Sequence, residues 1–346
     1  MRTGKISQAV FERSVFRPLL KTGALAGGFR YGIDCIEEPD GTVRSAASGT
    51  VGGFCIRAEM VLDEAVSKLG FCRDITLQVT LMLPEEMEEN GLKELVVRLG
   101  QEAGRVGAVI GNLGVSVSGQ VEVPLLNIAA SAKRAEAPAF AASPAFPDAG
   151  PEGDRNTCME ACGSAAGPDL VMAGTCGAAG TTILAEDFHE KLSGHFPAAF
   201  LREAENVGKN LLTGCNLMQQ LNEDHSRQLQ IYAFKAVAGG GVFAALWEMC
   251  EALDVGLEAD IHKIPIRQET VEICECLNRN PYRLYGTGAM LLAVEDGEET
   301  AFLLREKGIP AGRIGKLTEG KGRYIHNRDI TRCLEKPLPD ALILEG

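Results

Sequence analysis

Between positions 74 and 83 the chain reads DITLQVTLML, where polar and apolar residues alternate and β-branched residues recur. That period of two predicts a half-buried strand. Pro84 then opens PEEMEENGLKELVVRLGQEAGRVG, with acidic residues in its first turn and Leu92, Leu95, Val96 and Leu99 at helical spacing. A helix ending between Gly104 and Gly107 is predicted. RAEMVLDEAVSKLG, at 57–70, reads as a second amphipathic helix, and AVIGNLGVSVSGQVEVPLLNIAA, at 108–130, as two strands separated by glycines. Strands and helices in this order predict an α+β sheet covered by helices on one face.

The second half repeats that vocabulary. DLVMAGTCGAAGTTILAEDF (169–188) gives a strand, a glycine-rich turn and a helix, and FAALWEMCEALDVG (243–256) gives a helix ending at Gly256. VGLEADIHKIPI is a strand leading to Pro265, RQETVEICECLN a helix, GAMLLAVE a strand, and TAFLLREKGIPAGRIGKLTEG a helix followed by a last strand. Between the halves, residues 129–167 are dominated by small residues and prolines with no sustained period. The expected organisation is therefore an N-terminal domain at 1–130, an Ala/Pro-rich linker at 131–167 and a C-terminal domain at 168–346.

A length of 346 residues fits two domains, and 45% hydrophobic with 23% charged residues fits a soluble globular chain with a packed core. The net charge of −13 argues against a large nucleic-acid or acidic-membrane footprint, both of which need a basic surface. No uncharged apolar run is long enough to span a bilayer, and MRTGKISQAVFERSVF lacks a leader pattern, so a cytoplasmic protein is expected. Its 11 cysteines are scattered, which makes reduced thiols the default. Cys158 with Cys162, and Cys274 with Cys276, lack a second pair at zinc spacing.

Candidate chemistry centres on KAVAGGGVFAALWE, residues 235–248, where Gly239, Gly240 and Gly241 precede an apolar helix. Bare N–H groups at such a helix start suit an anion, with Lys235 adding charge, but on these residues alone close packing at a turn is the plainer account of the glycines. Lys5 is either a surface lysine or a residue reaching a bound phosphate. Asp34 is either a magnesium ligand or a turn residue before PDG. His189, His195, His225 and His262 read as exposed, and no Gly-Lys pair is followed by Ser or Thr in a phosphate-loop frame.

The ordered string from DLVMAGTCGAAGTTILA through GGGVFAALWEMCEALDVGLEADIHKIPIRQETVEICECLNRNPYRLYGTGAMLLAV to GIPAGRIGKLTEGKGR resembles the second domain of the aminoimidazole ribonucleotide (AIR) synthase superfamily. That superfamily includes a hydrogenase maturation factor that dehydrates a thiocarboxamide, selenophosphate synthetase and thiamine-monophosphate kinase. The resemblance is nearest to hydrogenase maturation factor-like members. Gly240 and Gly241 match the family's central glycine pair, and Ile264-Pro265-Ile266-Arg267 its Ile-Pro-Val-Arg turn. More loosely, Gly4-Lys5 through Val121 resembles the first domain. The resemblance implies an α/β (α+β) two-domain fold, with an N-terminal mixed sheet that pairs into a homodimer and a C-terminal α/β sandwich. It also implies ATP and magnesium bound along that dimer interface, with Lys5, Asp34, Gly111, Asn112, Lys235, Gly240 and Gly241 as nucleotide-binding candidates.

Departures from the family's pattern are concentrated where hard cations need oxygen donors. The family's Asp-Asp pair is matched by Ile33-Asp34, its Asn-Asp helix pair by Glu64-Ala65 beside Asp63, and its Gly-Gly-Asp-Thr turn by Gly111-Asn112-Leu113-Gly114. Its Thr-Asp strand end falls in SAASGTVGG (45–53), and its Asp-Val-Thr-Glu segment on Ala236-Val237-Ala238-Gly239, both without an acid. The chain ends PDALILEG with Cys333 not terminal, so the thiocarboxamide chemistry is not expected. Three readings follow. One is a degenerate member binding a small anionic or nucleotide ligand without efficient hydrolysis. Another is an active ATP-dependent enzyme with relocated metal ligands Asp34, Asp63 and Glu64, and the third is a non-catalytic dimeric scaffold.

Overall fold

The computed structural model describes residues 6–23, 29–51, 56–134, 162, 167–209, 217 and 229–343. Described residues within Asp34–Glu136 and Leu212–Glu223 form one compact unit, and those within Met1–Ile33, Ala137–Leu211 and Asp224–Gly346 form another.

The smaller unit is a mixed five-stranded sheet in the order β1-β2-β5-β3-β4, built from β1 (Cys35–Glu37), β2 (Thr42–Thr50), β3 (Cys72–Leu83), β4 (Ala108–Val117) and β5 (Leu125–Arg134). β3 and β4 run parallel and the other pairings are antiparallel. Ile75, Leu77, Val79, Leu81 and Leu83 are buried while Thr76, Gln78, Thr80 and Met82 are exposed. The sheet thus has one covered face, as the alternation in DITLQVTLML predicts. Helices lie against it at Ile56–Leu69 and Glu89–Arg105. Pro84 does not open the second of these: Met87 N donates to Pro84 O in a turn, and the helix starts at Glu89. β5 runs through residues 129–134, and the rest of the proposed linker lies outside the described residues except Cys162 and Gly167.

The larger unit is a seven-stranded sheet in the order β12-β11-β8-β10-β6-β9-β7. Its strands are β6 (Asp169–Ala173), β7 (Ile231–Val237), β8 (Gly256–Asp260), β9 (Ala289–Val294), β10 (Ala311–Thr318), β11 (Arg323–Asn327) and β12 (Ile330–Cys333). Helices are numbered along the whole chain: α1 (Gln8–Phe11), α2 (Arg17–Thr22), α3 (Ile56–Leu69), α4 (Glu89–Arg105), α5 (Ala178–Asp187), α6 (His189–Ser193), α7 (Ala198–Asn206), α8 (Gly241–Leu253), α9 (Gln268–Cys276) and α10 (Gly297–Glu306). A π-turn, Glu12–Phe16, joins α1 to α2. β9 is buried along its whole length, as a central strand must be, and packs with β6 and α8 into one core around Met172, Leu246 and Leu291.

Two expectations are corrected here. α8 stops at Leu253 with Asp254 in the left-handed region at φ 58°, not at Gly256. Gly256 instead opens β8, where a side chain would collide with Gly322 O and Thr318 Oγ1. β10 is not the last strand either, since β11 pairs parallel with β8 and β12 closes the sheet edge. Among the described residues no helix is long and apolar enough to cross a membrane.

Candidate functional site

The glycine turn lies between β7 and α8. Gly240 is the N-cap at φ 83° and Gly241 follows at φ 65°, both in the region that L side chains resist. A Cβ on Gly241 would stand 2.6 Å from Tyr282 O and 2.7 Å from Leu284 O, whereas one on Gly239 would meet nothing within 4 Å. Close packing therefore accounts for Gly241. The anion side of the question is answered by the chain itself. Gly240 N donates to Asp340 Oδ2 at 2.7 Å, and Asp340 Oδ1 accepts from Tyr285 N at 3.2 Å and Leu342 N at 2.8 Å. A carboxylate already rests on the backbone amide that begins α8.

Lys235, on the strand leading into this turn, is buried. Its Nζ lies 3.0 Å from Glu248 Oε2 and donates to Gly32 O at 2.9 Å. Tyr31 beside this pair has its phenol pKa pushed up, first by burial and then by the Glu248 carboxylate. One turn apart on α8, Trp247 and Glu251 take up Arg323: the guanidinium carbon lies 4.1 Å from the indole centroid, and Nη1 lies 2.7 Å from Glu251 Oε1. Gln8 joins them, its Nε2 donating to Glu251 Oε2 at 2.8 Å and its Oε1 accepting from Trp247 Nε1 at 3.2 Å.

In the smaller unit, Asp63 and Glu64 sit side by side on α3 and point to different partners. Asp63, 2% exposed, accepts from Arg105 Nη2 at 2.7 Å, and Arg105 also donates through Nε to Glu102 at 2.7 Å. Burial raises the Asp63 pKa well above the usual carboxylate range; Arg105 opposes that shift and Glu102 adds to it. Glu64 pairs with Lys68 one turn on, at 2.6 Å. Asp34 is half-buried immediately before β1. Gly111 lies where the β3–β4 register shifts, and a Cβ there would be 2.8 Å from Thr76 Cγ2; Asn112 beside it is exposed. Lys5 lies outside the described residues.

Magnesium needs several oxygen donors converging on one point. Among the described residues no group of three or more His, Cys, Asp or Glu is placed to hold a metal, so Asp34, Asp63 and Glu64 do not assemble as the expected donor set. The sequence also left Asp340, Arg105 and Glu248 unremarked. The one local signal was Pro339-Asp340, a turn-forming pair whose carboxylate takes the amide two residues on. Nothing local pointed to Gly240.

The model of the AIR synthase related protein, C-terminal domain, matches residues 165–327. A protein named for hydrogenase expression and formation in Methanocaldococcus jannaschii is 28% identical over 197 residues, covering 55% of this chain and 54% of that protein. Carbamoyl dehydratase HypE of Escherichia coli is 25% identical over 182 residues, 51% of this chain and 50% of the enzyme. The chain thus spans about half the length of the curated relatives it matches. Among solved structures, a HypE–HypF complex superposes with TM-score 0.68 at 16% identity, covering 94% of this chain and 100% of that one. Hydrogenase maturation protein HypE in complex with ATP gives TM-score 0.62 at 17% identity, covering 98% and 96%. Residues 165–327 thus match the AIR synthase related C-terminal domain in sequence, and the chain shares the fold of HypE structures over nearly its whole length.

Proposed function

We propose that this HypE-like protein binds a small anionic or nucleotide ligand without efficient hydrolysis. The observation that carries the reading is the internal commitment of the acids that would have to replace the missing metal ligands: Asp63 to Arg105 and Glu64 to Lys68. Phosphoryl transfer is catalysed mainly by electrostatic positioning of metal and phosphate oxygens, and each of those carboxylates would have to leave a cation before serving a metal. Support for a retained ligand comes from the HypE relative solved with ATP, which shares this chain's fold. Calorimetric titration with ATP, with and without magnesium, alongside phosphate release from the same sample, tests this. Binding without turnover is the expected outcome. Magnesium-dependent turnover would overturn it in favour of an active enzyme using Asp34, Asp63 and Glu64, and no binding at millimolar ATP would remove the nucleotide.

A second reading, self-association as a dimeric scaffold, is favoured by the face of the five-stranded sheet that alternates away from the helices. Met82 and Leu125 stand opposite one another in the β3–β5 register, 39% and 41% exposed, with the exposed Thr80 two residues along the same face of β3. An exposed apolar cluster on an open sheet face suits an isologous contact between two copies.

A further inference from the structure

We infer that the cleft between α7 and the turn entering α9 is a second ligand site, built for a small polyanion such as a phosphate monoester or pyrophosphate. It lies wholly within the larger unit, has a volume of about 520 Å³, and its charged lining is Arg202, Glu203, Lys209 and Arg267. On a chain of net charge −13, a concave surface with three cations facing one carboxylate runs against the overall balance. Cations there focus potential for an anionic ligand.

The three cations are not equivalent. Arg267 is held in place by parallel bonds of 3.1 Å from Nε and Nη2 to the Glu269 carboxylate, yet its side chain remains 50% exposed. A planar fork with part of its donor set still facing outward is what bidentate recognition of phosphate uses. Arg202 and Lys209 are exposed, one on α7 and the other in the turn that follows it. They share the lining with the single carboxylate of Glu203.

The walls are also braced from below. Thr182, fully buried on α5, donates to Ala204 O on α7 at 3.2 Å and accepts from Gly208 N at 2.8 Å, which fixes the turn carrying Lys209. The neighbouring Thr181 shares a 2.8 Å hydrogen bond with Thr270 on α9, three residues beyond Arg267. Both walls are thereby tied to one helix. Such bracing lowers the ordering cost of binding. The site is separate from the glycine turn, whose amide is occupied by Asp340, and does not depend on ATP binding there.

Inorganic pyrophosphate is the probe, titrated calorimetrically into the full chain at low and moderate salt. We expect saturable binding that weakens by roughly tenfold or more in Arg202→Gln/Lys209→Gln, since each lost charge-assisted contact is worth about a factor of ten. A charge-matched control, Lys93→Gln/Lys191→Gln, should bind like the unaltered protein. All of these positions are exposed, so thermal unfolding should match across the set. Absence of binding at millimolar pyrophosphate overturns the inference. So does an equal loss in both double variants, which would mean the probe responds only to net charge.

Discussion

Lys235 and Glu248 face each other from β7 and α8, Nζ 3.0 Å from Oε2, with the residues 5% and 3% exposed. The consequence is asymmetric. Lys235→Met takes from buried Glu248 the cation 3.0 Å away and should destabilise the fold by up to about 3–5 kcal/mol, whereas Lys235→Met/Glu248→Leu should recover most of that loss. Urea denaturation of the two variants measures the difference. Equal stability of the single and double variants would show that Glu248 finds another partner.

Asp63 predicts a pH dependence of definite sign. Its pKa is raised in the folded state, chiefly by burial, so the protonated form is favoured there. The stability this gives is fully present below an unfolded aspartate's pKa of about 3.9 and is lost as pH rises through the raised value. Asp63→Asn cannot titrate, so the stability difference between variant and parent should move in the variant's favour as pH rises from about 4 to about 8. Denaturation midpoints across that range check it; movement in the opposite direction would mean that Arg105 outweighs desolvation.

Gly239 and Gly241, on either side of the N-cap of α8, should separate on substitution. Gly241→Ala combines a left-handed φ with carbonyl oxygens at 2.6 and 2.7 Å, and strain plus overpacking should cost about 2–4 kcal/mol. Gly239→Ala meets open space and should change stability by less than about 1 kcal/mol. Thermal unfolding of both variants is enough to decide.

Asp340 fastens the segment after Leu334 onto the start of α8. Asp340→Ala should cost about 1–2 kcal/mol, in the range of a lost helix cap, and should raise amide exchange at Gly240, Tyr285 and Leu342 together. Asp340→Asn keeps an acceptor and should fall between. Unchanged exchange at all three amides would contradict the assignment of the carboxylate to this turn.

The open face of the smaller sheet gives a prediction about association. Met82→Asp/Leu125→Asp places like charges at paired, exposed positions and should leave folding intact while dispersing any dimer formed through this face. Sedimentation velocity of parent and variant reads this directly; a variant that still dimerises would exclude the face.

Much of the architecture was legible locally. The alternation in residues 74–83 fixed which face of β3 is buried, and the glycine and proline positions around 174–180 and 264–267 marked turns that the structure contains. Strand edges were less legible: Gly256 looks like a helix stop but is required by the close approach of Gly322 in a neighbouring strand connection.

For the site, the sequence determined that this chain carries a glycine pair opening an apolar helix, with Lys235 on the segment leading into it. Only the tertiary structure decided what those groups do. A side chain's period reports which way it faces, because backbone geometry repeats locally; its partner is chosen by segments distant in sequence. Asp340 meets Gly240 across 100 positions and Arg105 meets Asp63 across 42. No local pattern carries such pairings, because they arise from packing, which places distant charges together and makes each unpaired one costly.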